Sequence, residues 1–237
     1  MLPIFLLTLR QLSGKWRLTI MSLLALLPVV VGLLMVSFED APSVGDFEDA
    51  VLSAILAGAI SPLVVLAIAS AAFANEIEDS TLANLTIAPI PRWKIVLPKL
   101  LAAICVAGPF MAISAFLTGY FAYSADFKAA LSVTGATIIG VALYSSAFVW
   151  LGLKTTRAIG YGLIYIVLWE GFFSGFVTGV RLFSVRYYSI AWMHWFDPRR
   201  FAGFDDFGFG FAIVASVVVF GGFLLLAIRR LRYMDVP

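Results

Sequence analysis

Few side chains in this sequence could do chemistry, and their spacing excludes most of it. A zinc-binding H-E-x-x-H pair needs two histidines, and the chain of 237 residues has one, His194. His194 stands between Trp192 and Trp195, a setting that reads as an interfacial aromatic belt more readily than as a catalytic base. A phosphate loop needs G-x-x-x-x-G-K-[ST], but the only Gly-Lys pair, Gly14–Lys15, precedes Trp16 and lacks the upstream glycine. The single cysteine, Cys105, can form no intrachain disulfide. The sequence therefore offers no catalytic, cofactor-binding or metal-binding set of its own. Two features remain: a carboxylate, Glu170, set in an apolar run, and a mixed acidic and basic stretch, Asn75–Lys99.

The elements that must position them follow from composition. At 62% apolar and 13% charged residues, with mean hydropathy +1.01, there is too little polar surface for a water-soluble globule. Apolar runs of about 20 residues, enough to cross hydrocarbon at about 1.5 Å per residue, occupy about 18–36, 51–74, 100–123, 129–153, 158–180 and 209–228. They are apolar all round instead of alternating, which selects helices over barrel strands. The expected fold is an all-α integral membrane protein, a single transmembrane domain over 1–237 with six transmembrane helices. Leu2, Phe5, Leu6, Leu9 and Leu12 recur at helical spacing, which predicts an N-terminal interfacial amphipathic helix over about 1–15.

Charge sets the expected orientation. Eleven of the sixteen basic residues fall on one side if the N-terminus is cytoplasmic: Arg10, Lys15, Arg17, Arg92, Lys94, Lys99, Lys154, Arg157, Arg229, Arg230 and Arg232. Short cytoplasmic loops gather Lys and Arg, so both termini are expected inside. Arg181, Arg186, Arg199 and Arg200 then fall outside, among most of the acids. The net charge of +2, spread over separate membrane-flanking sites, gives no basic stripe for nucleic acid.

Within the fifth run, Glu170 is the only acid of any predicted span, and intramembrane carboxylates are rare. Two readings stand open: a contact for substrate or a proton, with Phe172, Phe173 and Phe176 alongside, or a carboxyl hydrogen-bonded within the bundle. Gly171, Gly175 and Gly179 repeat every fourth residue, a smooth stripe for close helix packing, either at a dimer seam or inside the chain. The aromatics from Phe183 to Phe201 read as interfacial anchors.

The stretch Asn75–Lys99 presents Glu76, Glu78 and Asp79, then Ser80 and Thr81, suited to cap a short helix through Leu82 and Leu85. Pro89 and Pro91 stop that helix, and Arg92, Lys94 and Lys99 mark the return to the membrane. An acidic pair, a hydroxyl residue with leucines, a proline-bounded turn and an Ile-x-x-x-Lys lead into the next span, with Glu76, Glu78, Asp79, Thr81, Leu82, Pro89, Ile95 and Lys99 as the matching residues. This arrangement resembles the membrane (permease) subunits of type-2 ABC transporters, in the bacterial exporter family. Ser80 stands where glycine is usual.

The resemblance spans essentially the whole chain and implies a division of labour. Two six-span units, a homodimer or a pair of related permeases, would each rest on a separate ABC ATPase subunit, two copies in all. That subunit would bind ATP and Mg, so no cofactor is expected in this chain. The cytoplasmic coupling segment 75–93, through Glu76, Glu78, Asp79, Thr81, Leu82, Leu85 and Arg92, and the N-terminal helix would contact it. The implied activity is export of a hydrophobic or amphipathic substrate across the cytoplasmic (inner) membrane of a prokaryote. Short re-entrant helices are implied between spans five and six, over about 173–208; if the dip begins near Phe173, Glu170 comes close to the outer surface. The competing readings are a membrane scaffold or assembly protein that recruits a partner without transport, and an ion-coupled carrier using Glu170.

Overall fold

A computed structural model describes residues 1–37, 43–78, 90–204 and 208–233. Among these residues the fold is helical without strands. An amphipathic helix α1 (Leu2–Leu12) leads into six helices long and apolar enough to cross a membrane: α2 (Lys15–Ser37), α3 (Val44–Ala74), α4 (Trp93–Ala122), α5 (Phe127–Lys154), α6 (Ala158–Phe176) and, after a further helix α7 (Val185–Phe196), α8 (Phe209–Arg232). The chain is a multi-pass membrane protein.

Successive spans run in opposite directions, so their ends fall on two rims. On the first rim Ser70 of α3 meets Gly152 of α5 so closely that a Cβ on Gly152 would strike the Ser70 carbonyl. On the second, Phe47 of α3 packs edge-on against Tyr123 beyond α4, with ring centres 6.0 Å apart. The core is widest where α4 and α5 pack along one another, with α3 across both; Tyr144, Phe73, Ile95 and Leu66 are fully buried there. By contrast α2, α6 and α8 keep most of their apolar surface outward, as helices facing lipid do.

Local chemistry sets the ends. The α4–α5 turn places Ser124 (φ 52) and Ala125 (φ 66) in left-handed backbone, and Asp126 then caps α5 by accepting from the amides of Lys128 and Ala129. Pro28, Pro98 and Pro109 lie inside long helices, a placement that membrane-spanning helices tolerate. Two stretches widen to i→i+5 turns, Glu48–Ile60 in α3 and Tyr165–Phe173 in α6, and they lie side by side. Hydropathy cannot register such turns.

The fifth span ends sooner than the apolar run suggests. Val177 is extended (φ −115, ψ 106), and Thr178–Phe183 forms a short 3-10 helix that turns back. Val177 and Val180 continue the hydrophobic pattern while the backbone has already reversed, which is why the span was expected to reach 180. The aromatics beyond it divide: Tyr187, Tyr188 and Phe201 are buried in the bundle, whereas Phe183 and Trp195 face outward, so only some act as surface anchors.

Candidate functional site

The first locus joins α3 to α4 on the rim that carries both ends of the described chain. The helix Ala71–Glu78 continues α3 past its last apolar turn, and Glu76 there meets Lys99 of α4, Nζ to Oε1 2.5 Å. Lys99 Nζ also donates to the Ala72 carbonyl at 2.6 Å and lies 4.4 Å from the centre of the Phe73 ring. Lys99 is wholly buried, and the Glu76 carboxylate and the Ala72 carbonyl compensate its charge there. Lys99 is thus a clamp that holds the end of one span to the beginning of the next. Both stems of the intervening stretch are thereby fixed.

Around this clamp the expected coupling residues fall as follows. Glu76 is buried within it, Glu78 is the last residue of its helix, and Arg92 is half-buried immediately before α4. Asp79, Thr81, Leu82 and Leu85 lie outside the described residues. Helix α1 packs along α4 beside the clamp, burying Thr8 and Leu12 while Leu2, Leu6 and Leu7 stay exposed. One face of α1 therefore holds the bundle and the other is apolar and unburied, the distribution of a helix at a membrane interface.

The second locus is Glu170, which is 0% exposed. Its Oε1 accepts from the Tyr165 hydroxyl at 2.7 Å and the Val185 amide at 3.1 Å. Its Oε2 accepts from the Ser184 hydroxyl and, at 3.4 Å, from the Arg186 amide. Ser184, Val185 and Arg186 are the cap and first residues of α7, so a carboxylate from α6 caps α7. The free N–H groups and positive end of a helix favour this arrangement. Arg186 extends it: Nε and Nη2 donate to Ser53 Oγ of α3 at 3.0 and 2.7 Å, and Nη1 to the Glu170 carbonyl at 3.4 Å. Three elements, α3, α6 and α7, are tied at one point between the two widened stretches.

Residue chemistry alone did not reveal Tyr165, Ser184, Arg186 or Ser53. Ser184 before an aromatic run was a helix-start signal in principle, but nothing in spacing links it to an acid fourteen positions earlier. Phe172 meets Phe173 edge-on and Phe176 at a tilt, and all three rings are exposed, Phe176 at 77%. A Cβ on Gly175 or Gly179 would meet nothing within 4 Å, and one on Gly171 only the Ile166 carbonyl of its own helix. These glycines seat no other described helix of this chain, and Gly179 has left the helix for the 3-10 turn. Gly175 instead borders a polar cavity of about 380 Å³ with Asp49, Ser53, Arg181 and Arg186.

Several basic residues of the second rim pair with acids or lie over aromatic rings. Arg200 pairs with Asp126 at 3.3 Å and lies over the Tyr123 ring; Arg181 lies over Tyr187. Lys128 pairs with Asp197 at 3.1 Å. Tyr123 donates to Glu48 at 2.9 Å, and burial together with that carboxylate pushes its phenol well above the ordinary tyrosine range. The amides of Ala129 and Lys128, with Arg200 nearby, hold the Asp126 carboxyl below its ordinary range. His194 is occupied too, its Nδ1 2.8 Å from the Phe201 carbonyl, a loop-fixing contact.

The sequence was compared with known proteins. No curated protein matches it. The profile of one family, described as "ABC-2 family transporter protein", matches residues 9–189, from the end of α1 through all of α2–α6 and into α7. That is well over half of the chain, and it includes both the Glu76–Lys99 clamp and the Glu170 anchor. The chain therefore belongs to the ABC-2 transporter family, as a membrane permease subunit that works with a partner ATPase.

Proposed function

We propose that this permease couples ATP hydrolysis by its partner to export of a hydrophobic or amphipathic substrate, and that force enters through the stretch held by the Glu76–Lys99 clamp. That clamp is the observation that carries the reading. A displacement of 79–89 cannot be absorbed by independent movement of α3 and α4, because Lys99 binds both Glu76 and the Ala72 carbonyl. It must tilt the two spans together. The ATPase would hold ATP and Mg; this chain would receive the motion, with α1 and Arg92 beside the contact.

Orientation follows from charge. All eleven basic residues read as cytoplasmic belong to α1, to the first-rim ends of the spans or to the connections there, which supports cytoplasmic termini in a prokaryotic inner membrane. Two ATPase copies and a second permease, identical or related, complete the proposed assembly. The outward apolar surface of α2 and α6 leaves room for the second permease beside lipid. Glu170 acts as an anchor in this account: four donors engage both of its carboxylate oxygens and tie α6 to the start of α7, and the return of Thr178–Phe183 to its level supports a re-entrant segment between spans five and six.

The test is isolation of the tagged chain in mild detergent. A co-purifying nucleotide-binding protein, whose hydrolysis is stimulated by candidate apolar substrates, is expected. A partnerless chain whose transport is indifferent to nucleotide would overturn the reading.

A further inference from the structure

Helices α6 and α8 make little contact with each other, and both lean on α5. The gap between them is a cavity of about 320 Å³, within the size range of small-molecule sites, which begins at about 300 Å³. Its walls are almost wholly apolar: Phe148 and Trp150 of α5, Tyr161 and Trp169 of α6, and Phe223 of α8. Phe183, on the segment that turns back, closes the far end, where its carbonyl accepts from Trp169 Nε1 at 3.2 Å. The Tyr165 ring also lines the cleft, while its hydroxyl is already given to Glu170. Apart from tyrosine hydroxyls and indole N–H groups the lining is hydrocarbon, and hydrocarbon is the medium around these spans.

What distinguishes the cleft from any lipid-facing groove is its open end. Lys154 lies one helical turn beyond Trp150 and Leu151 on α5, with its Nζ 4.9 Å from the Trp150 ring centre. Arg157 lies one turn before Tyr161, and Arg230 lies two turns beyond Phe223 on the same face of α8. All three side chains are exposed. Each wall of the apolar cleft thus ends in a cation at the membrane boundary. Basic clusters between spans at that level attract anionic lipid headgroups, and the same three helices supply the slot for a tail.

We propose that the cleft between α5, α6 and α8 binds an anionic phospholipid, one acyl chain between Trp150 and Trp169 and the phosphate among Lys154, Arg157 and Arg230. The site does not depend on the direction of transport or on the clamp. Each basic residue near an anionic headgroup is worth on the order of fivefold in affinity, so the preference over a zwitterionic lipid is large.

The experiment reconstitutes the full chain, with its ATPase if bound, in phosphatidylcholine vesicles. They contain increasing fractions of either mid-chain-brominated phosphatidylglycerol or brominated phosphatidylcholine. Bromine quenches nearby tryptophan, and the component lost in Trp150→Phe/Trp169→Phe reports the cleft. Half-maximal quenching of that component is expected at a mole fraction at least on the order of tenfold lower for phosphatidylglycerol. The Lys154→Gln/Arg157→Gln/Arg230→Gln variant should erase the difference without altering helicity. If the triple variant fails to fold, Arg157→Gln alone should narrow it by about fivefold. Equal quenching by the two lipids, a preference that survives these substitutions, or no quenching because another protein covers the cleft would each overturn the proposal.

Discussion

Glu170 and Lys99 are both charged residues buried among apolar helices, and each holds two elements together. They should respond differently to substitution. Lys99→Met alone leaves Glu76 buried opposite an apolar side chain and should destabilise the detergent-solubilised protein by about 3 kcal/mol. Adding Glu76→Gln should restore much of the loss, since no charge is then stranded. Thermal unfolding of the single and double variants checks this. At Glu170 the acceptor matters: Glu170→Ala leaves buried donors of Tyr165, Ser184 and Val185 without an acceptor and should cost about 1–3 kcal/mol. Glu170→Gln keeps one oxygen and should cost less. Transport abolished by Glu170→Gln in a fully stable protein would instead point to a role in carriage. The rarity of a carboxylate in an apolar run made Glu170 visible in sequence. Its partners were not, because they lie after a chain reversal that hydropathy does not encode.

At the scale of elements, hydrophobic runs of membrane length are long and uninterrupted, so α2 to α6 and α8 could be read from sequence. Their ends depended on subtler chemistry. The α4–α5 turn is one such place, since a left-handed residue without a glycine costs about 1–2 kcal/mol. Ala125→Gly should therefore raise the thermal stability of the solubilised protein by up to about 1 kcal/mol. Asp126 gives a pH signature. Its folded-state pKa lies below the ordinary value, so its stabilisation is present above the unfolded carboxyl's pKa of about 4 and is lost as pH falls through the lower, folded value. Asp126→Ala should thus be less stable than wild type at neutral pH, with the gap closing in acid, as a pH series of melting curves would record. The glycine spacing in α6 was legible but said nothing of its use: Gly152, outside any repeat, makes the close crossing with Ser70, while Gly175 and Gly179 face open space.

For the whole molecule, the absence of a phosphate loop and the concentration of basic residues at one rim belong together. The family implies a partner ATPase, and in the proposed account its work enters at the rim that carries the clamp. The stretch 75–99 stands out in sequence by its acids, prolines and returning basic residues, yet the buried pairing of Glu76 with Lys99 depends on how α3 and α4 lie side by side. The most direct measurement is substrate transported per ATP hydrolysed in vesicles containing the permease and its co-purified ATPase, comparing wild type with Glu76→Gln. The account predicts that the variant still assembles and hydrolyses ATP, at lower thermal stability because Lys99 is left buried without its carboxylate, while transport per ATP falls several-fold because the loosened clamp lets α3 and α4 move separately. An unchanged ratio in a folded, assembled variant would contradict it.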